Sequence, residues 1–359
     1  MFLLLVACAG PDEGPSEIEF TAPDGAGLFT AVSEEDSLLR EDGQELVLQL
    51  WWPSQETQAS LADYDDVASG NALSRGAAAC DPRRPAVVFS HGHRGIRWQS
   101  FFLTEALAEH GWVVIAPDHP GNTLFDPDGD DEDRARSAMS RPGDVTLSYE
   151  HLLARSADPE DELFGCLDEE QGFIVSGHSF GGFTTVATAG AALDIAGLRE
   201  SCAVEDEFWC GAEDFVGADV DALDLSDPRV VAAMPLAPGG AVAFGPYLED
   251  ITVPMLVMGA TLDDKTPYEE EAVPIYEGAG GPSRLAGLID GGHFSFTELC
   301  VVPLDDFDGC SEEYLDIETA KRLTRTLGLA FAWEQLGFDE AAAWLPPEGE
   351  PDLLWEQRL

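Results

Sequence analysis

The stretch GFIVSGHSFGGFTTVATAGAAL, residues 172–193, constrains this chain more than any other. Residues 173–176 are apolar or β-compatible, and residues 180–193 are rich in Ala, Thr and other small residues without proline, so the pattern predicts strand, abrupt turn and helix. At the turn stands Gly177-His178-Ser179-Phe180-Gly181-Gly182, a Gly-x-Ser-x-Gly elbow. Such a turn holds its serine in a strained conformation at the tip, and the flanking glycines let the backbone fold tightly. The six residues alone are a loose filter, because Gly and Ser are common, and a Gly-rich turn with an incidental serine is the plainer alternative. The strand before and the small-residue helix after are what the chemistry requires.

The rest of the chain supplies a frame for that turn. A chain of 359 residues with 45% hydrophobic content can bury a large core. Two strands are expected within residues 17–52, the second ending in ELVLQLWWP at Pro53. A short apolar strand in PAVVFSHGHRG, residues 85–95, runs into a His-Gly turn; a helix fits residues 98–110 and a buried strand 112–116. Arg141-Pro142-Gly143-Asp144 suits the first turn of a helix reaching about residue 157, and an acidic helical segment, 159–171, precedes the elbow strand. RVVAAMPL (229–236) and PMLVMG (254–259) read as central strands, 284–289 as a weaker one, and 318–336 as an amphipathic helix. Strands alternating with helices predict an α/β fold, a mostly parallel sheet covered on both faces. One domain over residues 17–359 is expected, with acidic insertions near 54–84, 126–137 and 202–227.

Charge excludes several functions. The chain carries 69 Asp plus Glu against 18 Lys plus Arg, a formal net charge of −51, so it would repel nucleic acid and anionic membranes. Such a surface suits high salt, hence a saline source, or equally an acidic secreted protein. DPDGDDED at 126–133 differs from a calcium loop in its glycine position and lacks the closing glutamate, so it reads as a solvated acidic loop. Residues 1–16 form a short apolar run, then Leu5-Val6-Ala7-Cys8, then a Pro, Gly and acid-rich tether. Leu-Val-Ala-Cys resembles a bacterial lipobox, which predicts an exported protein, either anchored to the envelope through lipidated Cys8 or secreted. Apart from Cys8, six cysteines remain, an even number that in an exported protein invites three disulfides. Proximity suggests Cys202 with Cys210 and Cys300 with Cys310, leaving Cys80 with Cys166. No Cys or Cys/His cluster has zinc spacing, so neither a metal nor a cofactor is expected.

A serine hydroxyl is a poor nucleophile at neutral pH and needs a base and a group to orient that base. In elbow hydrolases acid and then histidine follow the serine, each after a late strand. Of seven histidines only His293, in Asp290-Gly291-Gly292-His293-Phe294, lies downstream of Ser179. PMLVMGATLDDKTPY offers Asp263 and Asp264 as the orienting acid. The oxyanion hole should combine the backbone N–H of Phe180 with that of His93 in the early His91-Gly92-His93 turn. His91 and His93 as a metal pair lack a third ligand nearby. His178 is expected to pack within the elbow, since the turn points it away from Ser179.

FSHGHRG, APDHPGNT, RPGDV, SGHSFGG, DPRVVAAMPLAP, the TPY after Asp263, and GGHFSF run from about residue 85 to 300. Together they resemble the platelet-activating-factor acetylhydrolase and "predicted dienelactone hydrolase" group of α/β-hydrolases, which is related to bacterial polyester hydrolases and cutinases. The resemblance implies the α/β-hydrolase fold and a serine ester hydrolase acting without metal on lipid-like or other small acyl esters. It also implies Asp263 over Asp264, since relatives place the acid four residues before the loop proline, here Pro267. His93 stands where many relatives carry an apolar residue, and the insertions could reshape the acyl pocket. On the same triad the substrate could instead be a cutin-like polyester, with Trp98 and nearby Phe residues flooring a cleft. From another class comes a lipid-anchored binding protein with a vestigial elbow. A monomer acting on a small ester or lipid is expected.

Overall fold

The computed structural model describes residues 18–127, 129–202, 216–217, 219–301 and 308–359. In chain order the strands are β1 (Thr30–Leu39), β2 (Glu45–Ser54), β3 (Leu61–Tyr64), β4 (Ala68–Leu73), β5 (Ala86–Ser90), β6 (Val113–Pro117), β7 (Phe173–His178), β8 (Val230–Leu236), β9 (Met255–Ala260), β10 (Ser283–Leu288) and β11 (Leu353–Arg358). They form one sheet in the order β11-β10-β9-β8-β7-β5-β6-β2-β1-β4-β3. From β6 to β10 every neighbouring pair is parallel. Most of those strands read as apolar runs, and β5, β6, β7, β9 and β10 are buried at every residue because both faces are covered.

Helices α1 (Phe101–Glu109) and α7 (Ile317–Gln335) cover one face, where Leu103, Leu107, Leu323 and Leu327 meet Val87, Phe89, Met234 and Met258. On the other lie α2 (Asp131–Ala157), α3 (Phe180–Thr188) and α6 (Ala272–Gly278), whose Val145, Phe183 and Ile275 meet Val88, Val175 and Val257. The short helices α4 (Ile195–Cys202) and α5 (Ala241–Phe244) follow α3 and β8. This is an α/β-hydrolase sheet with β7 inside its parallel run, next to the middle strand β5, so whatever follows β7 sits near the centre of the sheet's C-terminal edge.

Several expectations are corrected. Residues 54–84 are not merely a surface connection: β3 and β4 extend the sheet, and the Tyr64 hydroxyl bridges Trp51 Nε1 at 2.8 Å and Glu105 at 2.7 Å. Helix α2 begins at Asp131, ten residues before the expected Arg141-Pro142 start. Asp130 caps it by accepting the Asp133 N–H, and three acids in the first turn face the positive helix end, so Pro142 lies inside the helix. The tract 126–137 therefore divides into a turn and two helical turns. Residues 159–171 form turns and a short 3-10 segment at Glu169–Gln171 in place of an acidic helix. Helix α3 stops at Thr188 and Gly190 turns the chain at φ +134°, short of residue 193. Pro53 lies within β2, opposite Ala31 of β1; β6 pairs only as far as Trp51, so the missing N–H leaves no gap. Strand β11, unforeseen, pairs antiparallel with β10.

Disulfides join Cys80 to Cys166 and Cys300 to Cys310. The suggested Cys202–Cys210 bridge and the segment containing Cys8 lie outside the described residues.

Candidate active site

Between β7 and α3 the chain reverses at Ser179, whose backbone sits at φ 58°, ψ −117°, a region that L residues rarely occupy. The strain is held by the Ser179 N–H donating to the Leu236 carbonyl at 2.9 Å and by close packing of the glycines around it. A Cβ at Gly177 would come within 2.4 Å of the Gly181 carbonyl oxygen, and one at Gly181 within 1.9 Å of the Ser90 carbonyl oxygen. No other residue type fits either position without moving backbone. Ser179 itself is half-buried, at the edge between core and cavity.

Two loops at the same sheet edge bring the other expected residues together. Asp263 follows β9 and His293 follows β10, and His293 Nδ1 lies 2.8 Å from Asp263 Oδ2. Oδ1 of Asp263 accepts the backbone N–H groups of Lys265 at 2.9 Å and Thr266 at 2.7 Å, and the Thr266 hydroxyl lies 2.8 Å from Oδ2. Burial alone would raise the pKa of Asp263, but the bonds from His293 and Thr266 outweigh it and hold the carboxyl below its usual range. Asp264 points outward to Lys265 at 3.0 Å and makes no bond to His293.

His178 is buried beside Ser179 and packs within the elbow. A hydrogen-bond chain runs through it: the Gly92 N–H donates to Gln99 Oε1 at 3.0 Å, Gln99 Nε2 donates to His178 Nδ1 at 3.0 Å, and His178 Nε2 donates to the His293 carbonyl at 2.9 Å. Three segments of the site, the His91-Gly92-His93 turn, the elbow and the His293 loop, are thereby joined. Burial and the neighbouring His293 push the His178 pKa down to about 3, so it stays neutral, as this donor–acceptor pattern requires.

Two cavities meet at Ser179. One of about 550 Å³ is lined by Ile96, Leu124, Phe294 and Leu299 together with Ser179 and His293. The other, of about 380 Å³, is lined by Ser179, His93, Phe180, Arg134, Lys265 and Thr266, among others. His93 and Phe180, expected to supply oxyanion N–H groups, thus flank the serine, and the His93 ring is fixed by Asn122 at 2.9 Å. Trp98, expected to floor a cleft, is buried beneath with its N–H on Asp65 at 2.6 Å, and lines neither cavity. Among the described residues no group of three or more His, Cys, Asp or Glu is placed to hold a metal ion.

A second serine, histidine and aspartate constellation lies behind the site. Ser90 Oγ is 2.8 Å from His119 Nε2, and His119 Nδ1 is 2.9 Å from Asp144 Oδ2, all three at most 1% exposed. Arg141, also fully buried, donates to Ser90 Oγ, the His91 carbonyl, Asn122 Oδ1 at 2.9 Å and Thr184 Oγ1 at 3.1 Å, and its guanidinium lies 4.6 Å from the Phe180 ring centre. It therefore braces both segments expected to supply oxyanion donors. Burial lowers the His119 pKa well below the usual range and raises Asp144 to about 7. The stretches APDHPGNT and RPGDV contain His119, Asn122, Arg141 and Asp144, but nothing in their spacing says that they meet. Gln99 likewise carried no sequence signal, and Thr266 was seen only as part of the TPY stretch, with no role attached.

Residues 87–345 match the model of the Alpha/beta hydrolase family. Cutinase est1 of Thermobifida alba is 27% identical over 191 residues, 53% of this chain and 46% of that protein. Cutinase est2 of the same organism is 27% identical over 212 residues, 58% of this chain and 53% of that protein. Cutinase 1 of Thermobifida cellulosilytica is 27% identical over 212 residues, covering 58% and 60%. The chain spans about half the length of the curated relatives it matches.

Proposed function

The chain belongs to the alpha/beta hydrolase family, and from that premise we propose that it is a serine ester hydrolase with Ser179 as nucleophile, His293 as base and Asp263 as orienting acid. Ser179 Oγ attacks the carbonyl carbon of a carboxylic ester while His293 takes its proton; the same proton then passes to the departing alcohol, leaving an acyl-enzyme. Water, deprotonated by His293, adds to the acyl carbon and releases the acid. Asp263 holds the imidazole with Nδ1–H toward its carboxylate, so that Nε2 is the basic nitrogen. The backbone N–H groups of His93 and Phe180 receive the oxyanion.

One observation carries this reading. The strained, half-buried Ser179 opens onto a cavity of about 550 Å³ that His293 also lines, while His293 Nδ1 stands 2.8 Å from Asp263. A binding protein with a vestigial elbow has no reason to keep a strained serine facing a cavity beside an oriented histidine. A fluorophosphonate probe should label Ser179, located by peptide mass spectrometry, and hydrolysis of p-nitrophenyl butyrate should vanish with the same residue. Label on another residue, or full turnover by Ser179→Ala, refutes the reading.

The similarity to proteins named cutinases favours a second substrate reading, a cutin-like polyester cleaved by the same residues. Ile96, Leu124, Phe294 and Leu299 give the larger cavity an apolar wall that would accept a chain segment as readily as a short acyl group. Release of soluble acid from a polyester film, set beside a chain-length profile of p-nitrophenyl esters, separates the two. The disulfides Cys80–Cys166 and Cys300–Cys310 favour an exported protein.

A further inference from the structure

Charge at the mouth of this site runs against the rest of the chain. Acids outnumber bases 69 to 18 over the whole sequence. Yet among the described residues lining the two cavities at Ser179 stand three cations, Arg94, Arg134 and Lys265, and one carboxylate, Glu271. Glu271 is engaged from within, its Oε2 accepting the Ala241 N–H at 2.8 Å. Lys265 borders both cavities, and Arg134 borders the smaller one beside Ser179 and Phe180. The Arg134 Nε is buried and has no hydrogen-bond partner among the described residues. Its terminal nitrogen pairs with exposed Asp131 at 3.2 Å, and Lys265 pairs with exposed Asp264 at 3.0 Å. Exposed pairs of this kind are weak and exchange readily for a ligand's anion.

We propose that the ester this site takes carries a second, ionised acid group, as the half-ester of a dicarboxylic acid does, and that Arg134 and Lys265 receive it. The proposal rests on the serine-esterase reading above. The apolar portion of the substrate lies in the larger cavity, the scissile carbonyl at Ser179, and the carboxylate in the smaller cavity. Half-esters arise when one ester of a neutral diester or polyester is hydrolysed, water adding and an alcohol leaving, so a neutral-ester hydrolysis is the class of reaction that supplies this substrate.

Matched pairs of esters test it. Mono-p-nitrophenyl glutarate against p-nitrophenyl valerate places the charge on the acyl side, and 4-carboxyphenyl acetate against phenyl acetate places it on the alcohol side. The anionic member of one pair should have kcat/KM higher by roughly tenfold, the scale of a charge-assisted contact. The pair that shows it tells which end of the ester occupies the smaller cavity. Arg134→Gln combined with Lys265→Gln should return the ratio to about one. If the neutral member of both pairs is turned over as well or better by the unaltered protein, the proposal falls while the esterase reading stands. Calorimetry on Ser179→Ala reads the same charge preference without turnover. Tighter binding of monomethyl glutarate than of dimethyl glutarate, lost on replacing both cations, supports the proposal even if no ester is hydrolysed; equal binding of the two overturns it.

Discussion

The molecule contains the same trio of side chains twice, and the two copies differ in what surrounds them. At the sheet's centre Ser179, His293 and Asp263 meet a cavity, with the serine strained and half-buried. Behind them Ser90, His119 and Asp144 have hydrogen-bond distances of 2.8 and 2.9 Å, close to the 2.8 Å between His293 and Asp263, yet they are sealed from solvent. Ser90 ends β5, fully buried, with its oxygen engaged by both His119 and Arg141, so no ester can reach it. A serine, a histidine and an aspartate in hydrogen-bond contact are therefore insufficient for nucleophilic chemistry. On the reading proposed above, access and strain at the serine are what separate Ser179 from Ser90.

The largest test breaks the comparison at the serines. Ser179→Ala should lower ester turnover by roughly 10⁴-fold or more, whereas Ser90→Ala should leave a turnover within about tenfold of the parent, since the two hydrogen bonds it removes, to His119 and Arg141, lie within the sealed trio and touch no substrate. A large loss in Ser90→Ala with normal folding would mean that the sealed trio participates. The aspartates give the next contrast. Asp263→Asn should cost roughly 10⁴-fold in kcat by offering His293 the wrong hydrogen-bonding pattern. Asp144, its pKa raised to about 7 by burial, is half neutral near pH 7, so Asp144→Asn replaces it with a close mimic of its protonated form and should cost little. Steady-state kinetics of the two variants at pH 7 and 8 decides this.

The contrast also shows what could be read from the chain. That Ser179, His293 and Asp263 meet at one sheet edge was legible because each is tied to a local signal, a turn after a strand, at a fixed order along the chain. The central strands were legible because burial on both faces leaves continuous apolar runs such as RVVAAMPL. The sealed trio was not, because Ser90, His119 and Asp144 come from three separate elements and are joined only by tertiary packing. β3 and β4, four and six residues long, alternate polar residues and carry no strand-like run. Helix α2 was placed ten residues late because Pro142 suggested a first turn, while the true start lay in an acidic tract, 130–133, that resembled a loop. A cap and a favourable dipole there outweighed composition.

Arg141 sharpens the comparison from the structural side, with an effect on stability larger than on chemistry. It is 0% exposed, and removing its guanidinium leaves the His91 carbonyl, Asn122 and Ser90 short of a donor and deprives Asp144 of a neighbouring cation. Breaking one partner out of such a buried network costs about 3–5 kcal/mol. Arg141→Met should show that loss in urea unfolding. Because Arg141 also braces Phe180 and the turn containing His93, the folded fraction should show a lower kcat with KM changed less. An unchanged kcat in folded protein would confine Arg141 to the sealed trio.

The smallest expected effect is a change in the slope of stability with pH, and it distinguishes the two regions by proton count. His178 is neutral in the fold with a pKa near 3, against an ordinary value of 6.5; His119 is likewise held well below its ordinary value by burial and by Arg141. For a lowered histidine the unfolded chain takes up a proton that the folded chain refuses. The stability is then fully present above pH 6.5 and declines as pH falls toward the folded value, by up to about 1.4 kcal/mol per pH unit per histidine. Asp144 acts in the opposite sense: with its pKa raised from 3.8 to about 7, the fold keeps a proton that the unfolded chain releases, so between those values acid stabilises. In the sealed trio His119 and Asp144 act in opposite senses, while Asp263 at the proposed site is lowered and titrates only below 3.8. The change of unfolding free energy with rising pH, measured from pH 4.5 to 6.5, should thus become less positive by about one proton in His178→Asn and in His119→Asn, and more positive by about one proton in Asp144→Asn. If Asp144→Asn left the slope unchanged instead, the sealed carboxyl would have to be ionised across this range, and the sealed trio would be a buried ion pair in place of a neutral brace.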